Sequence, residues 1–171
     1  MMIGFRIQGF DILPDIIGYL FFASAFNSLA SSSTYFDTAK KYNIFMIILS
    51  IFSIYQVPAQ SGEIYFGSLG ILSIPVGITA LILNLVVVYY LFMGLKDMAE
   101  KREQTELAKE SDEKWNQYKI LQIASLLSFA LIFIPVLGIV YIIGLFVMSI
   151  IIAIKILGFL KRYKERFNTL V

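Results

Sequence analysis

The chain has 171 residues, of which 58% are hydrophobic and 15% charged, and its mean hydropathy is +0.79. Soluble domains carry charge on about a quarter of their residues, so this balance excludes an ordinary water-soluble fold and predicts an integral membrane protein. The formal charge of +2 is too small for a nucleic-acid partner, and the lack of Cys and His excludes disulfides, thiol nucleophiles, thiolate metal sites and imidazole acid/base chemistry.

The opening MMIGFRIQGFDILPD has no basic region leading into an apolar core with a small-residue cleavage site, so no removable signal peptide is expected. The first hydrophobic segment, Ile12 to Ser31, is densely apolar only from Ile16 to Phe26. It reaches the ~20 residues of a spanning helix only when Asn27, Ser28 and the serines beyond are counted. Ser24 and Ser28 have the small-xxx-small spacing that lets a second helix approach closely. Thr34 to Lys41 reads as a polar link, and Tyr42 to Val57 as a second, short segment ended by Pro58. Ala59 to Leu69 is a loop with one charge, Glu63. Ser73 then caps a third segment, Pro75 to Leu95, long enough to rise ~31 Å.

Lys96 to Lys119 is the long polar run of the chain, with six Lys/Arg and seven Asp/Glu. Asp97 with Lys101, Lys109 with Glu113, and Glu110 with Lys114 have the four-residue spacing of a solvated helix. The run is expected to be a helical connection in water that extends the third segment, with Trp115 and Tyr118 marking re-entry at the interface. Tyr118 to Ile134 and Ile139 to Leu160 form the arms of a final hairpin turned at Pro135 to Gly138. Lys155 snorkels towards the headgroups, and residues 161–171 are a basic tail.

The fold class is therefore all-α: one integral membrane bundle over residues 1–171 with about five transmembrane helices, or four plus a re-entrant or interfacial N-terminal helix. Five spans leave 13 of the 14 basic residues on one side, the cytoplasmic one by the positive-inside rule; four spans put all 14 there. Both arrangements give a plasma-membrane protein with a cytoplasmic C-terminus and a cytoplasmic 96–119 run. A thiol introduced at Gln8 separates them by its access to an impermeant reagent, and one at Ser111 is expected to be protected in either. SIPVGI at 73–78 and FIPVLGI at 133–139 also resemble each other, each introducing a long apolar helix with a basic end. They suggest a parallel repeat of two hairpins, although Pro and Gly at apolar helix ends produce such echoes by themselves.

Four polar residues are candidates for function or helix packing: Asp11, Asp15, Asn27 and Asn84. Asp11 and Asp15 are spaced to share a helix face and so to hold a divalent cation or a proton, yet a capping Asp11 and an Asp15 opposing the helix dipole account for both. Asn27 and Asn84 lie in apolar segments, where an amide needs an interhelical partner or contacts a ligand. No phosphate loop, metal motif or nucleophile elbow is present, so catalysis, cofactors and bound metal are not expected.

Gly9, Asp11, Ile12, Leu13, Pro14, Asp15, Ile17, Gly18 and Tyr19 make up a G-x-D-I-L-P-D-x-I-G-Y pattern. It resembles the N-terminal signature of a group of small, uncharacterised bacterial multi-spanning membrane proteins. The resemblance implies a bacterial membrane protein, assigns no catalytic residue, and draws attention to Asp11 and Asp15. The expected role is that of a non-enzymatic accessory, regulatory or immunity-type subunit, with the lipid bilayer and a membrane-protein partner or second copy as its contacts. The alternative is a small homo-oligomeric transporter or channel.

Overall fold

The computed structural model describes residues 6–7, 10–11, 15–51, 73–131 and 135–168. Pro58, the Ala59 to Leu69 loop and Gln8 lie outside them. The described chain is helical: α1 (Asp15–Leu29), α2 (Thr34–Ile51), α3 (Ser73–Glu100), α4 (Thr105–Leu131) and α5 (Pro135–Asn168). A two-residue antiparallel pair precedes them, β1 (Arg6–Ile7) against β2 (Phe10–Asp11). The chain divides into two compact units, Met1–Gly94 and Leu95–Val171.

In the first unit α1 and α2 pack as a hairpin turned at residues 30–33. The turn is closed by Ser32 N–H donating to the Leu29 carbonyl and Phe36 N–H to the Ser33 carbonyl. The Thr34 to Lys41 link expected from its polarity is instead the first two turns of α2. Ser33 accepts the Tyr35 N–H on its hydroxyl, and Asp37 pairs with Lys41 one turn on, so local side-chain partners start the helix where polarity alone suggested a loop. Phe36, Ala39, Asn43, Met46 and Ser50 are buried, and their alternating spacing of three and four makes one stripe along α2. Opposite it, Phe26 stacks on Phe36 with ring centroids 6.4 Å apart. The part of α3 up to Gly94 joins them closely, because a Cβ at Gly94 would stand 2.6 Å from the Phe36 ring.

In the second unit the polar run folds into a small helical head. α3 ends when Gln104 N–H donates to the Ala99 carbonyl and Glu103 N–H to the Glu100 carbonyl, with Glu103 left-handed at φ 58°. This is a Schellman closure, in which a residue with positive φ lets the chain turn back on the last carbonyls. α4 begins at once, with Ala108 N–H on the Gln104 carbonyl. Leu95, Ala99, Leu107, Ala108, Phe159 and Tyr163 are all buried, drawn from α3, α4 and the far end of α5.

Pro135, expected in the last turn between arms, instead opens α5; its fixed φ and missing N–H suit a first helical turn, where no intrahelical donor is needed. Two stretches, Gly77–Glu100 and Val136–Phe167, are long and apolar enough to cross a membrane. Only 22% and 11% of their most apolar portions are buried, unlike a helix at the centre of a soluble domain. α1, at 15 residues, rises about 22 Å, which is less than the ~30 Å hydrocarbon layer.

Candidate functional site

Two polar assemblies stand out, one in each unit. In the first, Tyr19 of α1 is the meeting point. Asn43 of α2, fully buried, donates its amide to the Tyr19 carbonyl at 2.7 Å, and Asn84 of α3 reaches the Tyr19 hydroxyl at 3.4 Å. The Asn43 Oδ1 is buried with no hydrogen-bond partner among the described residues. A buried acceptor left without a donor costs about 1–3 kcal/mol, so this node has capacity for one more donor than the described residues supply. Its groups are neutral, which suits binding or helix registration.

The sequence candidates are spread out rather than gathered. Asp11 lies in β2, opposite Arg6 in the pairing, while α1 starts at Asp15. Residues 11 and 15 therefore do not belong to one helix, and the helical spacing assumed for them begins only at the second. Asn27, exposed, accepts a 2.7 Å hydrogen bond from Lys40 across the α1–α2 turn. Asn84 alone joins the node at Tyr19. Asn43, its most buried member, was not among the candidates; the three-and-four spacing from Phe36 to Ser50 was the signal that placed it inward.

The second assembly is the charged surface of the head. Lys96 pairs with Asp112 at 2.6 Å, Lys101 with Asp97 at 2.7 Å, Arg166 with Glu106 at 3.4 Å, and Arg162 with Glu110. Glu110 also lies 3.8 Å from the Lys114 ammonium, which is nearly buried. Arg102 sits over the Phe167 ring at 4.2 Å, and Phe167 stacks on Tyr163 at 4.5 Å. Tyr163 in turn donates to the Leu95 carbonyl at 2.7 Å. Exposed ion pairs contribute about 0–1 kcal/mol each, so Lys96–Asp112, Arg162–Glu110 and Arg166–Glu106 set register between helices while the buried Leu107, Phe159 and Tyr163 hold the head together. No group of three or more Asp/Glu able to hold a metal ion occurs among the described residues.

The chain matches no protein-family model, no curated protein and no solved structure.

Proposed function

We propose that this is a multi-pass bacterial inner-membrane protein without catalytic activity, an accessory, regulatory or immunity-type subunit whose head docks a partner protein on the cytoplasmic side. The observation that carries this reading is the joining of an exposed apolar helix length in α5 to a folded, ion-paired polar end in the same unit. A mere linker between spans has no need of a buried core; a docking element needs a fixed surface. The basic residues concentrated between Lys96 and Arg166, eleven of fourteen, favour a cytoplasmic head. Crosslinking in cells followed by affinity purification tests the proposal. Reproducible recovery of one membrane-protein partner, lost on Leu107→Ala, supports it; recovery of the homomer alone overturns it.

A second reading, a small homo-oligomeric transporter or channel, is favoured by the buried, unsatisfied Asn43 Oδ1 beside Tyr19 and Asn84. Flux of uncharged polar solutes into proteoliposomes, abolished by Asn84→Leu at normal expression, would support it. Absence of flux in the wild-type protein rules it out for those solutes.

A further inference from the structure

Along α5, the residues Val136, Val140, Ile143, Val147, Ile150, Ile154 and Leu157 recur at spacings of four and three, and all are exposed, from 40% to 78%. That is one continuous stripe on the helix. From Val136 to Leu157 it rises about 31 Å, the thickness of the hydrocarbon layer. The same stripe then continues without a change of spacing through Lys161 and Lys164, also exposed, which lie about 6 and 10 Å further on, at headgroup depth. The opposite side carries the buried Ile152, Phe159 and Tyr163.

Beyond Leu157 the four cations of α5 are divided between its two sides. Arg162 and Arg166 are neutralised by Glu110 and Glu106 of α4. Lys161 and Lys164 have no acidic partner among the described residues. Arginine, with its planar fork, takes the fixed carboxylates; lysine, a flexible point charge, is left facing outward at the end of an apolar strip. We infer that this outward face of α5 is a binding surface for anionic phospholipid, with the strip lying against acyl chains and Lys161 and Lys164 holding the headgroup phosphates. The inference rests on the membrane reading above and adds a lipid class and two residues to it. Each lysine near an anionic surface is worth about a fivefold preference.

The reporter is placed on the strip itself, as Leu157→Trp in a Trp115→Phe background, one turn before Lys161. Trp115 is replaced because it belongs to α4, the helix that Arg162 and Arg166 face through Glu110 and Glu106. The protein is reconstituted in phosphatidylcholine vesicles containing an equal mole fraction of either brominated phosphatidylglycerol or brominated phosphatidylcholine, and flotation after carbonate washing establishes insertion. Quenching of the tryptophan at position 157 is expected to be at least twofold stronger with the brominated anionic lipid. The ratio falls towards one in Lys161→Gln/Lys164→Gln and is retained in Lys161→Arg/Lys164→Arg and in Arg162→Gln/Arg166→Gln. Equal quenching by both lipids in the inserted reporter protein overturns the lipid site and leaves the membrane reading standing. Failure to float overturns both.

Discussion

Gly94 has no room for a single added carbon. Adding a Cβ there pushes into the fully buried Phe36 ring at 2.6 Å, and Phe36 is itself fixed by stacking on Phe26. Gly94→Ala is therefore expected to destabilise the protein by about 1–3 kcal/mol through overpacking, seen as a lowered thermal midpoint in detergent. Gly77, where an added Cβ meets no described atom within 4 Å, is the control: Gly77→Ala is expected to be neutral or to raise the midpoint slightly, since alanine is the better helix former. At this scale the sequence was partly legible. Asn84 stood out because an amide is costly in an apolar helix, and it does find a partner in Tyr19. Asn43 did not, because α2 begins with charged residues that disguised its inward stripe. The Asp11–Asp15 spacing suggested a shared face only on the assumption that one helix held both, and residue spacing cannot carry that assumption across a helix start.

The elements were legible where apolar runs are long and obscure where charge dominates. α3 and α5 announce themselves by length and by Pro75 and Pro135 near their starts, although proline alone does not say whether it ends one element or opens the next. The break between α3 and α4 has no glycine or proline at residues 101–104; Glu103 takes the left-handed position usually given to glycine. Glu103→Gly is accordingly expected to stabilise the head by about 1 kcal/mol, measured as slower cleavage by trypsin at the exposed Lys101 and Arg102. Leu107, 3% exposed, provides the opposite test. Leu107→Ala removes core volume at a cost of about 2–5 kcal/mol and is expected to make the same sites rapidly cleavable while leaving membrane insertion unchanged.

For the molecule as a whole, composition points to the membrane and leaves the number of spans between four and five. The shortness of α1 favours a re-entrant or interfacial first helix, so a thiol at Gln8 is expected to resist an impermeant reagent on intact cells; labelling there would restore five spans. Ser111, the intended companion site, is fully buried, and a thiol there would be shielded on either side of the bilayer. Lys109 is exposed on the same helix and reports sidedness properly: Lys109→Cys is expected to react only after the cells are opened. The turn at 101–104 has a consequence of its own. It joins two parts that already grip each other, through Tyr163 on the Leu95 carbonyl, Lys96 on Asp112 and Arg102 over Phe167, so continuity of the backbone there is expected to be dispensable. Two separately translated fragments, 1–102 and 103–171, are expected to reassemble in one membrane, which makes this turn the natural place to split the protein or to splice in a reporter domain.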